Sequence, residues 1–354
     1  MNRRFLNLLV NKLNGRCPAV NLHRIDLASL FCPAGLPKPA HPAAITKKAS
    51  ASGLAPARLP PATMSFYQPY PPSQNGWMDF VALNDDIIAF DYESRTLLYD
   101  SAVGAVRVIN PIIDPRCRSI SLTVGSVFYV MARQSGLPYQ GYHFQALSLK
   151  DWCWRRLHPL PINFLEIIKN PTHKYGLGLG EVDPFEFSAY AVVGDSDIWI
   201  STVGAGTHSF STSSGKWSKL GDWVLPFSGP AQYIAEHGLW FGFSRKDEHL
   251  CVANLVQEPP APPLHEFPFQ QVWEEPHLSE AWTPMAASLL PLGSGKLCIA
   301  RVFRTSKGDK DRKAESIVVL AGMEFVNDAS TGRLMIIKHK SVSYIVGGNV
   351  FKLL

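Results

Sequence analysis

The stretch AYAVVGDSDIWISTVGAGTHSFSTSSGKWSKLGDWVLPF, residues 189–227, divides into four short pieces. Ala189–Val193 ends at the turn Gly194-Asp195, and Ile198–Thr202 at Gly204-Ala205-Gly206. Thr207–Thr212 ends at Ser213-Ser214-Gly215, and Trp217–Leu225 closes the unit before Pro226. β-Branched and aromatic residues suit a pleated ribbon, while Gly and Ser supply turn conformations, so this pattern predicts four antiparallel strands. Four strands in about 40 residues form a sheet too small to bury its own faces. Such a unit fits one blade of a β-propeller, covered by its neighbours. By itself it equally fits a pair of hairpins in a sandwich, so recurrence decides.

The layout recurs. Met78–Leu83, Asp86–Asp91, Thr96–Asp100 and Ala105–Ile112 make a first unit, and Ser119–Val124, Val127–Ala132, Tyr142–Leu149 and Trp152–Pro159 a second. The opening stretch is the third. Ala231–Glu236, Leu239–Ser244, Leu250–Leu255 and Gln271–Glu275 make a fourth, and Ala286–Leu292, Lys296–Arg304, Ile317–Phe325 and Arg333–His339 a fifth. The chain then begins a sixth, Val342–Val346 and Asn349–Leu353, and stops. Taking the first turn of each copy as a ruler (Asn84, Gly125, Gly194, Gly238, Gly293, Gly347), the spacing averages about 53 residues. Kelch repeats run near about 50.

Residues 5–12 and 20–31 read as two further strands around Asn14-Gly15, with a helix the alternative for the first. Pairing them with the last two strands would complete the sixth blade and remove open sheet edges. The expected fold is therefore all-β: a six-bladed Kelch-like β-propeller closed by N-terminal and C-terminal strands in one blade. Residues 1–31 supply the closure, 32–77 form a Pro/Ala-rich linker with little to bury, and 78–354 form the propeller body.

Composition agrees with a soluble globular protein: 46% of the 354 residues are hydrophobic and 18% charged. No apolar run approaches the roughly 20 residues of a membrane span. Basic character is local. Residues 1–64 carry nine Lys/Arg and one acid, Asp26, whereas residues 65–354 carry 25 basic and 28 acidic groups. The basic start reads as an ordered strand pair or, alternatively, as an organelle-targeting segment. It has few aromatics to stack on bases, so it gives no strong nucleic-acid signal. Six scattered cysteines without a CxxC pair favour a reducing, intracellular compartment, cytoplasmic or nuclear.

No motif has catalytic spacing. Gly293-Ser294-Gly295-Lys296 lacks the Ser/Thr and the helix of a phosphate loop and reads as a hairpin turn. Gly176–Gly180 lacks dinucleotide-site spacing. His265-Glu266 and Glu274–His277 hold metal-ligand types, but Pro268 and Pro276 prevent the helix that would gather them. No cofactor or metal site is expected. Long insertions at 133–141, 161–187 and 304–316 all fall at second-to-third-strand loops or blade connections, which share one rim. Large loops on one face of a rigid scaffold are where binding is expected. On that face, Trp77 and Trp282 in connections are candidate ligand contacts, with Glu181 and Asp183 in the long insertion. Trp152, Trp199, Trp217, Trp223 and Trp240 fall in or beside strands and are expected to pack between blades.

The chain resembles an uncharacterised plant family, expanded in grasses, of Kelch-like propeller proteins carrying a domain of unknown function. The resemblance lies in RRFLNLLV at 3–10, NLHRIDLASLF at 21–31, IWISTVGAGTHSF at 198–210, KWSKLGDWVLPF at 216–227, GLWFGFS at 238–244 and LGSGKLCIARVF at 292–303. It implies the fold and brings no catalytic residues. Plant Kelch proteins often carry an F-box before the propeller. The residues ahead of the linker read as strands instead, which turns the resemblance away from a ubiquitin-ligase adaptor.

These features point to a non-catalytic scaffold that binds other proteins through one loop face. The alternative is an enzyme or lectin acting on carbohydrate or a small metabolite at the mouth of the central channel. Fold alone does not choose between them.

Overall fold

The structure, a computed structural model, describes residues 3–12, 19–31, 56–68, 77–116, 118–132, 143–162, 186–245, 248–256, 282–305, 315–327 and 334–354. Over them the chain is all-β, apart from one 3-10 helix, and its strands are divided among several sheets.

The chain opens with β1 (Phe5–Lys12) and β2 (Ala19–Asp26). The strand expected to run to residue 31 stops at Asp26, whose carboxylate accepts from Ala28 N and caps a 3-10 helix over Leu27–Leu30. β3 (Pro56–Ala57) and β4 (Met64–Tyr67) follow. Both lie inside the span read as linker, so that expectation does not hold for 56–68. β4 pairs with β2, Leu22 opposite Met64, and the buried Phe66 anchors it.

The repeating units follow in order. β5 (Met78–Leu83), β6 (Asp86–Asp91), β7 (Thr96–Asp100) and β8 (Ala105–Val108) form the first sheet. β9 (Ser119–Val124), β10 (Val127–Ala132), β11 (Phe144–Ser148) and β12 (Trp154–Arg156) form the second. β13 (Phe187–Val193), β14 (Asp197–Thr202), β15 (Gly206–Ser211) and β16 (Lys216–Gly221) form the third. β17 (Phe227–Ile234), β18 (Leu239–Ser244) and β19 (Leu250–Ala253) follow as the fourth unit, hydrogen-bonded to the third through β13 and β17, so that the two make one seven-stranded sheet of order β16-β15-β14-β13-β17-β18-β19. Its expected last strand at 271–275 lies outside the described residues. β20 (Trp282–Gly293), β21 (Lys296–Thr305), β22 (Ser316–Asn327) and β23 (Leu334–Val346) form the fifth, and β24 (Asn349–Leu353) ends the series.

The first turn of each sheet needs a left-handed backbone. Asn84 (φ 54°), Gly125 (57°), Gly194 (61°), Gly238 (64°) and Gly293 (82°) all supply it. Gly347 is not among the positive-φ residues. The reason lies in β23, which does not break at 339 as the sequence suggested. A bulge in β23, where His339 and Lys340 stand opposite Gly322 alone, lets it bend and continue, with Ser341 opposite Ala321 and Val346 opposite Ser316. Val342–Val346 therefore belongs to the fifth sheet. Only β24 crosses over, into a terminal sheet of order β24-β1-β2-β4.

The chain divides into two compact units, Tyr70–Gln271 and Met1–Pro69 with Val272–Leu354. Within the first, consecutive sheets pack face to face. Val81, Ile88 and Phe90 meet Phe128, Val130 and Leu147. Tyr129, Met131 and Phe144 meet Ile198, Ile200 and Phe210. Ala189, Ala191 and Val193 meet Trp240, Cys251 and Ala253. The first strands also adjoin: buried Asp79 of β5 accepts from Ser119 N of β9 at 2.7 Å, and β13 runs parallel to β17 with Ala191 opposite Ala231.

In the second unit the terminal sheet packs on the fifth, with Leu6, Leu8 and Val10 against Cys298, Ala300 and Val318. Leu9 and Asn7, on the opposite face of β1, are also buried, so β1 is a central strand covered on both sides. Burying a Leu side chain stabilises by roughly 1.5–3 kcal/mol, so β1 alone contributes substantially to this core.

Candidate functional site

Antiparallel order brings the ends of β6, β8, β10, β12 and β18 and the starts of β7, β9, β11, β13 and β19 to one end of their sheets in the Tyr70–Gln271 unit. That end carries the most concentrated polar chemistry among the described residues. Asp114 and Arg116 lie in the connection between β8 and β9, His143 immediately precedes β11, and Arg156 ends β12.

Gln145 of β11 builds the base of this cluster. Its Oε1 accepts from Ile113 N (3.1 Å) and Asp114 N (3.3 Å), and its Nε2 donates to Asp114 O (2.7 Å). A buried amide satisfied this fully holds the connecting backbone in one place. Arg156 then reaches the Asp114 carboxylate with both ends of its fork, Nε to Oδ2 at 2.9 Å and Nη2 to Oδ1 at 3.4 Å.

Arg116 Nη2 lies 2.6 Å from His143 Nε2. A guanidinium has no acceptor, so Arg116 donates and the imidazole lone pair accepts. The ring proton therefore sits on Nδ1, which is 3.7 Å from Asp114 Oδ2, too long for a hydrogen bond but close enough for attraction. Burial pushes the His143 pKa below its ordinary value, and Arg116 and Arg156 push it further, against an opposing pull from Asp114. The imidazole is neutral near pH 7. Because its lone pair is engaged by Arg116, it is not placed to take a proton from a substrate. Among the described residues, the buried Arg116 Nε has no hydrogen-bond partner.

Elsewhere at this end the charges satisfy themselves or stand alone. Asp91 accepts from Glu93 N, Arg95 N and Arg95 Nε at 3.0, 3.1 and 2.6 Å, which closes the β6–β7 loop. Arg245, after β18, has a buried Nη1 with no partner, and burial lowers its pKa. Among the described residues no group of three or more His, Cys, Asp or Glu could hold a metal ion. A crevice lined by Ile120, Leu122, Tyr129, Met131 and Phe144 is apolar and offers no reactive group.

The residues singled out from sequence fare differently. Trp77 is half-buried, edge-on to Phe90 with centroids 6.5 Å apart, so its ring belongs to the core of the first sheet. Trp282 is not in a connection. It begins β20 opposite Thr305 and packs on Phe303 at 5.6 Å. Glu181 and Asp183, like His265 and Glu274–His277, lie outside the described residues. Gly293-Ser294-Gly295 forms the β20–β21 hairpin turn with φ of 82°, 53° and 68°. Trp217 and Trp240 do pack between sheets: Trp217 Nε1 donates to His158 O (2.9 Å) and Trp240 Nε1 to Val192 O (2.8 Å). The polar cluster had no sequence signal beyond the position of Asp114-Pro115-Arg116 at a sheet connection, because its members come from three separate segments.

The profile of a family described as a protein of unknown function (DUF1668) matches residues 3–344. No curated protein matches the chain. Among solved structures, a structural-genomics protein of unknown function from Bacteroides thetaiotaomicron VPI-5482 aligns with 73% of this chain and 56% of its own, at 10% identity and a TM-score of 0.35. The chain thus spans little more than half of that protein's length, and a likeness this distant adds nothing on fold or activity. No helix among the described residues is long and apolar enough to cross a membrane.

Proposed function

We propose, for a chain that belongs to the DUF1668 family of proteins of unknown function, that it is a non-catalytic scaffold binding other proteins through the loop-bearing end of its sheets. The observation that carries this reading is the Asp114–Arg116–His143–Arg156 cluster. It is charged, held by Gln145, and placed where the loops gather, yet its imidazole lone pair is occupied. That arrangement suits recognition better than proton transfer.

The reading includes a six-bladed Kelch-like ring. Small sheets that pack in succession, with first strands adjoining, are the geometry that blades require. Phe210 and Trp217, with six residues between them as between the aromatic and the Trp of Kelch repeats, stand directly opposite each other in β15 and β16. In this proposal 1–31 close the last blade together with β24, and 78–354 hold the body. The grass-family resemblance and an intracellular location, cytoplasmic or nuclear, belong to the same reading.

The test is affinity purification with mass spectrometry from native tissue. Full-length protein is compared with variants shortened in the 133–141 and 161–187 loops. Partners lost from the shortened variants support the loop-bearing end as the binding face. Partners retained by them contradict it. Turnover of a carbohydrate or small metabolite by the purified chain would favour an enzyme with its site at the channel mouth.

A further inference from the structure

We propose that the Arg116–His143 pair, backed by Asp114 and Arg156, is a recognition pocket for the carboxylate of an acidic side chain on a protein partner. This deepens the scaffold reading and rests on it for the identity of the ligand's carrier.

The pocket is short of negative charge. Asp114 is already held by Arg156 through two hydrogen bonds. Among the described residues, Arg116 donates through Nη2 to a neutral imidazole and its Nε meets no acceptor. Two guanidiniums and one carboxylate leave a net charge of +1 among the described residues of the cluster. A single carboxylate balances that charge, whereas a phosphate dianion would overshoot it. A guanidinium is the planar donor that carboxylates prefer, and Arg binds them with two parallel hydrogen bonds.

The pocket is also set in advance. Gln145 fixes the backbone at Ile113 and Asp114, and Arg156 fixes the Asp114 side chain. Little ordering is left to be done on binding, which favours affinity. His143 reports occupancy directly, because an anion approaching Arg116 changes the field at Nε2, 2.6 Å away.

The experiment follows the His143 ring resonances of the full-length protein by NMR. The probe is an acetylated, amidated tetraglutamate peptide, titrated at constant ionic strength, with inorganic phosphate in a parallel arm. Saturable His143 shifts are expected with the peptide. Arg116→Gln should weaken the peptide by about tenfold, the scale of one charge-assisted hydrogen bond lost. Arg116→Lys, which keeps the charge but not the fork, should weaken it less. Arg155→Gln, whose guanidinium serves Tyr129 instead, should leave it unchanged. Absence of a saturable shift, equal affinity in Arg116→Gln, or tighter binding of phosphate than of peptide would each overturn the pocket. A failed partner purification would count against the scaffold reading and leave this titration standing. A failed titration counts against the pocket alone.

Discussion

Asn7 and Leu354 exchange two backbone hydrogen bonds, Asn7 N to Leu354 O at 2.8 Å and Leu354 N to Asn7 O at 2.9 Å. They extend the β1–β24 ladder, in which Leu8 faces Leu353 and Asn11 faces Asn349. Residues more than three hundred positions apart in sequence thus share one sheet. Closing so long a loop costs conformational entropy that the burial of β1 on both faces must offset.

That ladder passes over Gly348. A Cβ there would lie 2.5 Å from Asn11 O, whereas one at Gly347 would meet nothing within 4 Å. Gly348→Ala should therefore destabilise the protein by about 1–3 kcal/mol through overpacking. Gly347→Ala should stay within about 0.5 kcal/mol. Denaturant unfolding of the two variants side by side measures the difference.

Leu8 is fully buried in the core shared by β1 and the fifth sheet. Leu8→Ala should cost about 2–5 kcal/mol. Deleting residues 1–31 should unfold or aggregate the protein, because it strips β24 and β4 of their sheet. Light scattering and thermal melts of the truncated chain check this. A soluble variant with an unchanged melting temperature would rule it out.

The fold was legible where backbone chemistry forced residue choice. Asn84, Gly194 and Gly238 mark turns because those positions demand positive φ. The β15–β16 hairpin was legible because Ser213-Ser214-Gly215 supplies its turn, and Phe210 and Trp217 face each other across the ladder, 5.1 Å apart. β4 was missed because Met64–Tyr67 sits in a Pro-rich stretch with no alternation, and only its partner β2 makes it a strand. The continuation of β23 was missed because the polar run His339-Lys340-Ser341 reads as a break, while a bulge at His339 and Lys340 carries the pairing across it. The polar cluster was illegible because Asp114, in the connection between the first and second sheets, meets His143 and Arg156 only after the second sheet has formed.

Acid should weaken the fold through its histidines. His143 and His208 both have pKa values pushed below 6.5, first by burial and then by cations: Arg116 and Arg156 for His143, Lys219 for His208. The unfolded chain keeps the ordinary value and takes up protons first. The stability associated with these groups is therefore full above about pH 6.5 and lost as pH falls toward their lowered values. Unfolding free energy should drop between about pH 7 and pH 5, and His208→Gln should reduce that drop. A flat profile in the wild type would contradict the burial of these rings.

Cysteine labelling should follow burial. Cys298 is enclosed by the core, which pushes its thiol pKa up to about 12, and Cys251 is buried, whereas Cys153 is exposed. The thiolate is the reactive form. Iodoacetamide followed by peptide mapping should modify Cys153 in the native protein and reach Cys251 and Cys298 only on unfolding.

β24 on β1 is the contact that ties the two extremes of this sequence. Native-state hydrogen exchange reads that contact most directly. If it holds the fold, the amides of Asn7 and Leu354 exchange only through the same global opening as Ile299 and Val318 in the fifth sheet. Fast exchange of Leu354 by local fraying, with Ile299 still protected, would show that the strand is not part of the folded core.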